Sequence, residues 1–446
     1  MSAPMSGGSV IPPRRGVCPG LSRPLPTGDG LLVRILPIGT IALDAFVALC
    51  AAARACGNGI IEITARGSIQ VRGLSADSAP RFADTIAALG IAAEDGVPIL
   101  CNPLAGLDAA EIFDASAFAA SLRYAVAQQS FSDRLDPKVS IVIDGGAPLG
   151  LAHVAADIRL RAQLHNGQPM LRLGIGGDEA SAVDLGVIAP GDSVEAISGL
   201  LHVLAERGAR ARDIIGDEGI DCFADTLAYA HRGFVAQRHH GASSIETGGA
   251  APRQYRDPIG LHALRDGSLA CGIGLAFGHA EARTLEKFAD AAAATGARGL
   301  RSAPNRGLLA IGLTSKGTAR FLAAAVSLGF VTAPDDPRRH VVACAGAPLC
   351  ASAYIAARAV APDIAAAAAP YLSGGLTIHV SGCAKGCAHP GAAPLTVVGT
   401  KDDCGLIANG SARDAPFAAA PLRELPDVIA DHLRERRRLA EKIRHV

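Results

Sequence analysis

The 446-residue chain contains no tryptophan, and aromatic residues make up only 4% of it. It also lacks an excess of charge, because 42 Lys and Arg residues oppose 42 Asp and Glu residues. A neutral chain gives no global reason to expect nucleic acid or an anionic membrane as a partner. Any basic binding site must therefore be local.

Long hydrophobic runs are missing as well. The opening, MSAPMSGGSVIPPRRG, is polar and rich in Pro and Gly, so we expect a flexible N-terminal arm over residues 1–20 rather than a secretory signal peptide. The longest apolar-looking stretch, residues 356–371, is mostly alanine and contains Arg358, Pro362 and Asp363, which do not suit a membrane span. The sequence therefore predicts a soluble, cytoplasmic protein that spans no membrane.

Cysteine, by contrast, occurs eleven times. This number does not indicate a disulfide framework, because cytosolic thiols are kept reduced. Cys50, Cys56, Cys222 and Cys271 lie in apolar or Ala/Gly-rich contexts, where a free cysteine packs as a small hydrophobic residue. A second group of cysteines, near the C-terminus, needs another explanation.

An ordered internal repeat determines the predicted architecture. The strand-like LLVRIL is followed by a segment with helical spacing of apolar residues and by a second strand, IIEITARGSIQVRGL. Much later SLACGIGLAF, another such helix and GLRSAPNRGLLAIGL follow in the same order, and Arg66-Gly67 and Arg306-Gly307 precede the final apolar strand of each copy. The repeat predicts two pseudo-two-fold half-domains, each completing a sheet that the other could not close alone.

The chain between and after the two copies is long enough for further domains. The insert contains the strand-like VSIVIDGG, VAADIRLRA and PMLRLGIGG and the helix AISGLLHVLAERGARA, which predict an α/β domain. GGAAP before Arg253 has the composition of a linker and predicts a boundary. The third unit carries the grouped cysteines and ends in a charged helix, LPDVIADHLRERRRLAEKIR.

The grouped cysteines form two close pairs, Cys344-x5-Cys350 and Cys383-x3-Cys387, flanked by small residues. Small neighbours allow four thiolates to converge on one inorganic core. Structural zinc also takes four thiolates, but its pairs are usually separated by two to four residues, which the first pair does not match. The spacing favours an iron–sulfur cluster over zinc, and buried cysteines without a ligand remain the third alternative.

Cys-x5-Cys followed by Ser-Gly-Cys-x3-Cys resembles the cluster motif of the siroheme-dependent sulfite and nitrite reductases. The resemblance covers residues 20–433 and implies one 4Fe–4S cluster on the four cysteines. It also implies an α+β fold with two pseudo-symmetric ferredoxin-like half-domains and two α/β domains of the nitrite/sulfite reductase type. The expected units are half-domain 1 at 21–90, the α/β domain at 100–245, half-domain 2 at 255–320, and a 4Fe–4S domain with a C-terminal helix at 335–446.

Two positions depart from what the resemblance leads us to expect. Arg66, in ITARGSIQ, matches the first arginine of the reductases' anion site, and Lys138 matches one of their paired lysines. Ser140 stands where the second lysine is expected, and Pro394 stands where a carboxylate follows the last cysteine. A site for reducing a small oxyanion would be crippled, so siroheme is not expected as the cofactor.

The opening RRGVCPGLSRPLPTGDGLLVRI and the closing SGCAKGCAHPGAAPLTVVG are most similar to the branch of this superfamily that acts on precorrin-3A in aerobic cobalamin biosynthesis. This implies an iron–sulfur monooxygenase that uses O2 and an external electron donor or reductase, with NADH as the reductant. The tetrapyrrole is then substrate, and its carboxylates are expected to bind Arg66, Lys138, Arg306 and Lys385, since guanidinium and ammonium groups pair with carboxylates.

His379 and His389 flank the second cysteine pair and are candidate ligands of a mononuclear non-heme iron or proton donors, although such histidines are most often structural. Two other functions stay open. A siroheme-dependent sulfite or nitrite reductase predicts bound siroheme, and an iron–sulfur electron carrier predicts that no tetrapyrrole binds. A dinucleotide-binding GxGxxG in a βαβ context is not found, so the electrons are expected from a partner.

Overall fold

The computed structural model describes residues 19–129, 134–230, 255–372 and 376–444. Most of the expected N-terminal arm, the RRGVCPG opening except its last two residues, and the expected GGAAP linker lie outside these ranges. In the described ranges, none of the helices combines the length and the apolar character needed to cross a bilayer.

The first half-domain follows the order of elements that the repeat predicts. Its elements are β1 (Leu25–Thr27), β2 (Gly30–Ile35), β3 (Ile41–Ala42), α1 (Leu43–Cys56), β4 (Ile60–Ile63), β5 (Ile69–Leu74) and α2 (Ser78–Ala88).

The second domain is built on a five-stranded mixed sheet. Its elements are β6 (Ile99–Cys101), α3 (Ala115–Ala127), β7 (Ile141–Asp144), β8 (Ala156–His165), β9 (Gln168–Gly177), β10 (Val183–Ile188), α4 (Ser193–Arg207), α5 (Ala211–Glu218) and α6 (Asp221–Ala230).

The second half-domain repeats the first. Its elements are β11 (Gly260–Ala263), β12 (Leu269–Gly274), β13 (His279–Glu281), α7 (Ala282–Ala294), β14 (Gly299–Ala303), β15 (Gly307–Leu313) and α8 (Ser315–Ser327).

The C-terminal domain carries the grouped cysteines. Its elements are β16 (Val341–Ala343), α9 (Ala357–Ala368), β17 (Ile378–Ser381), β18 (Ala393–Gly399), β19 (Cys404–Gly410), β20 (Ala418–Ala420) and α10 (Leu425–Arg444).

The two half-domains exchange edge strands. The first sheet has the order β1-β2-β5-β4-β13, and the corresponding sheet of the second half-domain has the order β11-β12-β15-β14-β3. Each sheet therefore receives its last strand from the other half, and this pairing protects an edge that would otherwise be exposed. One hydrophobic core runs through both halves, and α1 packs against α7 within it. The α+β architecture expected from the repeat is confirmed, including the mutual completion of the two sheets.

One expectation about the repeat is wrong. IIEITARGSIQVRGL was expected to be a single strand, but β4 and β5 are antiparallel partners that turn at Arg66-Gly67. Gly67 has a φ of +84°, a backbone conformation that glycine adopts without steric cost. The second copy turns in the same way between β14 and β15, where Asn305 and Arg306 have φ values of 58° and 64°.

The sheet of the first half-domain has two chemically different faces, because side chains alternate along a strand. Its inner face is apolar and packs into the shared core through Val33, Ile35, Ile61, Ile63, Ile69 and Val71. Its outer face carries polar side chains at the alternate positions, namely Arg34, Glu62, Gln70 and Arg72. This polar face is the feature that links the fold to the cysteines described next.

Candidate functional site

The four grouped cysteines lie at the ends of two neighbouring strands. Cys344 directly follows β16, and Cys383 follows β17 after one residue. The two strands are parallel partners, so their carboxyl ends meet at the same edge of the sheet. Cys350 and Cys387 belong to the loops that follow these strands. Parallel pairing therefore brings together two cysteine pairs that are distant in the sequence.

The thiols are near enough to interact with one another. The amide of Gly382 donates a hydrogen bond to Cys344 Sγ at 3.0 Å, which links the second cysteine loop to the first pair. Cys344 interacts electrostatically with Cys350 and Cys383, and Cys387 interacts with all three of the other cysteines.

The four thiols do not converge on a single ion, however. In the ranges that the structure describes, no three His, Cys, Asp or Glu side chains lie close enough to share one metal ion. Tetrahedral zinc with Zn–S bonds of about 2.3 Å would require a tighter group. Neighbouring but separated thiols fit a larger iron–sulfur core, to which all four cysteines could supply thiolates.

A turn of the first half-domain covers the first cysteine pair. Gly28 lies so close to it that an added Cβ would be 2.4 Å from Cys350 Sγ and 3.0 Å from Ser352 Oγ. The carbonyl of Gly28 also accepts a hydrogen bond from the Ala351 amide at 2.9 Å. Only glycine fits here, because any side chain would push the cysteine loop away.

Burial has the largest effect on the thiols of Cys344 and Cys387. It raises the pKa of the Cys344 thiol, although the amides of Gly382 and Gly346 oppose this shift. Burial also raises the pKa of Cys387, and the guanidinium of Arg72 opposes the shift. Metal binding requires the thiolate form. The two amides and the guanidinium of Arg72 therefore favour the thiolate form, which is the form that binds metal.

A buried ionic network lies between the polar face and the cysteines. Arg72 pairs with Asp29 through two hydrogen bonds of 2.8 Å, and its Nη1 lies 3.7 Å from Glu62 Oε2. Arg358, in the first turn of α9, donates a hydrogen bond of 2.5 Å from Nη2 to Glu62 Oε1. Asp29 follows Gly28, so the network joins the covering turn, the sheet and the helix that begins after the first cysteine pair.

Arg66 lies in a cleft between the first half-domain, the second domain and the second half-domain. Its Nη2 donates hydrogen bonds to Ser140 Oγ and to the Ala155 carbonyl, both at 2.9 Å. The same cleft is lined by Arg301 and Arg123. Arg66 therefore points toward the position where the resemblance led us to expect a second lysine.

The second arginine of the repeat, Arg306, lies close to the first. The two turns touch, because the Asn305 amide donates a hydrogen bond of 3.0 Å to the Ala65 carbonyl. The Arg306 side chain passes over Gly278, where an added Cβ would be 2.7 Å from its Cδ. Burial lowers the pKa of Arg306. The pseudo-two-fold relation thus brings Arg66 and Arg306 to a shared joint between the half-domains.

The two candidate lysines are both exposed. Lys138 lies in the loop before β7, two residues before the buried Ser140. Lys385 lies between Cys383 and Cys387 and donates a hydrogen bond from Nζ to Ser352 Oγ at 2.8 Å. Lys385 therefore bridges the two cysteine loops in the described structure, a role that its position in the sequence did not indicate.

The two candidate histidines are near each other, with ring centroids 5.7 Å apart. His379 is fully buried, and neither ring nitrogen has a hydrogen-bond partner in the part of the chain that the structure describes. An added Cβ at Gly386 would be 3.7 Å from its Cε1. Burial, followed by the influence of His389 and Arg306, lowers the pKa of His379 to about 4. The ring is therefore neutral at neutral pH and lies beneath the second cysteine loop.

Sequence reasoning missed the ionic network of Asp29, Glu62, Arg72 and Arg358. One signal was available, since LLVRIL, IIEI and IQVRGL each carry a single charged residue inside an otherwise apolar strand. Isolated charges in such strands are rarely buried without partners. Reading them as one polar face would have predicted a charged interface.

The comparisons with known proteins agree with this architecture. The family model for the nitrite/sulfite reductase ferredoxin-like half domain matches residues 23–89. The precorrin-3B synthase of Sinorhizobium sp. is 40% identical over 421 residues, which cover 93% of this chain and 88% of that protein. The chain belongs to the precorrin-3B synthase family.

More distant relatives place the precorrin-3B synthase family within the nitrite/sulfite reductase superfamily. The ferredoxin–nitrite reductase of Synechococcus elongatus is 26% identical over 371 residues, which cover 76% of this chain and 70% of that protein. The structure of the Mycobacterium tuberculosis NirA protein has a TM-score of 0.70 at 19% identity and covers 90% of this chain and 79% of that one. The α+β fold of the nitrite/sulfite reductase type and the expected superfamily are thus both confirmed.

Proposed function

We propose that this chain converts precorrin-3A to precorrin-3B in the cytoplasm, as an iron–sulfur monooxygenase of aerobic cobalamin biosynthesis. One atom of O2 enters the meso carbon between rings A and D as a hydroxyl group, and the ring A acetate closes a lactone. The other oxygen atom leaves as water, which requires two electrons and two protons. The electrons come from an external donor or reductase, with NADH as their source.

The observation that carries the proposal is the cysteine cradle, the group formed by the four grouped cysteines at the ends of β16 and β17, in a chain of the precorrin-3B synthase family. Cys344, Cys350, Cys383 and Cys387 would hold one 4Fe–4S cluster, which supplies single electrons when bound. The amide of Gly382 and the guanidinium of Arg72 would stabilise the ligating thiolates.

The tetrapyrrole is proposed to be the substrate and not a siroheme cofactor. Ser140 supports this, because its hydroxyl accepts a hydrogen bond from Arg66 at the position where the reductases are expected to place a second ammonium group. Pro394 gives further support, since it stands in β18 where a carboxylate was expected. If this chain reduced a small oxyanion, its site would have neither the second lysine nor the carboxylate that the reductases are expected to use.

The carboxylates of precorrin-3A are proposed to bind Arg66, Arg306, Lys138 and Lys385. Arg66 is favoured by its position in a cleft lined by two further arginines. Arg306 is favoured by its burial beside the same joint. Lys138 is favoured because it is exposed near Ser140, and Lys385 because it is exposed between two of the cysteines. Arginine binds a carboxylate through two parallel hydrogen bonds, which would orient the macrocycle as well as hold it.

A mononuclear non-heme iron is a further proposed component, with His379 and His389 as candidate ligands. The unpartnered nitrogens of His379 support this, since buried polar atoms usually have a partner. Within the described ranges these two rings gain no third ligand from His, Cys, Asp or Glu. Any further ligand would therefore come from outside this set, that is, from another residue, from the substrate or from solvent.

The experiment that tests the function is a single turnover with isotopically labelled dioxygen. Anaerobically reconstituted protein is mixed with precorrin-3A and a reductant, and the product is analysed by mass spectrometry after labelled O2 is admitted. We expect one labelled oxygen atom in the macrocycle and none when O2 is withheld. A product without label would contradict the monooxygenase, and siroheme absorption with turnover of nitrite or sulfite would instead support the reductase alternative.

A further inference from the structure

The two arginines of the ionic network beside the cysteines differ in how many hydrogen-bond partners they have. Asp29 and Arg72 satisfy one another, with two hydrogen bonds of 2.8 Å between buried side chains. Arg358 has fewer partners, because Nη2 bonds to Glu62 while Nε and Nη1 are buried without a hydrogen-bond partner among the described residues. The Arg358 side chain is only 12% exposed, so water does not easily replace the missing acceptors.

A guanidinium left in this state is costly to bury, and an acceptor or a nearby negative charge is needed to offset the cost. The negative charges that the described residues offer to Arg358 are Glu62, Cys344 and Asp29, while Arg72 opposes them. Arg72 in turn interacts with Cys387. Each cation thus interacts with Glu62 and with one thiol of the cysteine cradle.

A cluster held by four thiolates is negatively charged and becomes more negative on reduction. Fixed cations in a medium of low dielectric therefore favour the reduced form, and fixed anions oppose it. Arg72, Arg358, Asp29 and Glu62 carry two charges of each sign, so the network is neutral as a whole. Removing one member from this balance leaves a net charge next to the cluster.

We infer that Arg358 and Glu62 are positioning residues that set the reduction potential of the cluster in the cysteine cradle. The inference rests on the proposed function only in that the cradle holds a 4Fe–4S cluster. Arg358 favours the reduced cluster, and Glu62 holds the guanidinium in place and limits its effect. Neither residue needs to touch the substrate.

The test uses opposite charge changes in the full-length, cluster-loaded protein. The potentials of wild type, Arg358→Gln, Glu62→Gln and the double variant are measured by anaerobic redox titration followed by EPR. We expect Arg358→Gln to disfavour reduction by at least tenfold and Glu62→Gln to favour it by a similar factor, with the double variant close to wild type. A tenfold change corresponds to about 59 mV for a one-electron couple.

Two further variants keep the test decisive. Arg358→Lys preserves the charge and is expected to keep the wild-type potential. This variant still tests the effect of charge if Arg358→Gln loses its cluster and its potential cannot be measured. Arg54→Gln is the matched control, because Arg54 forms a 2.8 Å ion pair with Glu286 between α1 and α7, on the helical side of the sheet. Its potential is expected to equal that of wild type.

A loss of structure would not shift the potential in two opposite directions. The signs of the two shifts therefore distinguish an electrostatic effect on the cluster from a purely structural role. Unchanged potentials in Arg358→Gln and Glu62→Gln, or shifts of the same sign, would overturn the inference and leave the proposed function intact. Wild-type protein that binds no 4Fe–4S cluster after reconstitution would overturn both the inference and the proposed cofactor.

Discussion

Arg66 donates a hydrogen bond to Ser140 across 74 residues of sequence, at 2.9 Å, inside the cleft where the half-domains meet the second domain. Ser140 is itself fixed, because its amide donates a hydrogen bond to Asp157 Oδ2 at 2.9 Å. A serine thus orients the arginine without adding a second cation. The guanidinium keeps a defined direction, as the proposed binding of a substrate carboxylate requires, and repulsion from a neighbouring ammonium is avoided.

This contact predicts losses of different size for two substitutions. Ser140→Ala removes one hydrogen bond to a charged group, so we expect a loss of about 1–2 kcal/mol in the free energy of unfolding and weaker binding of precorrin-3A. Ser140→Lys places a buried ammonium group beside Arg66, so we expect a larger loss of stability and no gain of nitrite or sulfite turnover. Chemical denaturation and substrate titration measure these effects.

Ser121→Ala is the control for these variants, because its hydroxyl bonds only to a carbonyl of its own helix at 3.3 Å. We expect its substrate affinity to match that of wild type. If Ser140→Lys gained nitrite or sulfite turnover, the proposal that the bound tetrapyrrole is a substrate and not a siroheme cofactor would be wrong.

The cysteines yield a prediction with a control in the same domain. Replacing Cys344, Cys350, Cys383 or Cys387 by Ser is expected to lower the bound iron and sulfide to less than half of the wild-type content. Cys404 lies buried in β19 of the same sheet and is not part of the cradle.

Cys404→Ala is expected to lose some stability through a small cavity but to keep its iron. Iron and sulfide analysis of anaerobically reconstituted protein measures the outcome. If Cys404→Ala lost as much iron as the cradle variants, the assignment of the four ligands would fail.

The cradle could be predicted from sequence because it depends on local features. Each cysteine pair is short, flanked by small residues and placed after an apolar strand. The ionic network could not be predicted, since its contacts join residues that are 43 and 296 positions apart. Such pairings depend on how the first half-domain docks onto α9. The single charges within the apolar strands could have indicated a polar face, but not its partners.

The turn over the first cysteine pair gives a steric prediction. Gly28→Ala would place a methyl group against Cys350 Sγ, so the cysteine loop would have to move. We expect a lower iron content and faster loss of iron to a chelator, because the displaced Cys350 could no longer bind the proposed cluster together with the other three cysteines.

Gly20→Ala is the matched control, since no atom of the described residues lies within 4 Å of the added Cβ at that position. Both variants are compared by iron retention during incubation with a chelator. Equal retention in the two proteins would show that the contact between the turn and the cradle does not matter for the cluster.

The exchanged strand β13 gives a prediction about pH. Burial, followed by the positive charge of Arg358, lowers the pKa of His279 to about 3, and His279 is the strand partner of Glu62. The pKa of a histidine in the unfolded chain is about 6.5, so the unfolded state takes up this proton first as the pH falls. His279 therefore stabilises the fold above about pH 6.5, and this contribution is lost progressively as the pH decreases toward 3.

Between pH 6.5 and 5 we expect this group to lower the free energy of unfolding by up to about 1.4 kcal/mol per pH unit. His279→Gln removes the titrating ring, so its unfolding free energy should fall less steeply with pH than that of wild type. Denaturant unfolding at several pH values measures the difference in slope. Parallel slopes would mean that the pKa of His279 is the same in the folded and the unfolded protein, so that burial and Arg358 do not lower it.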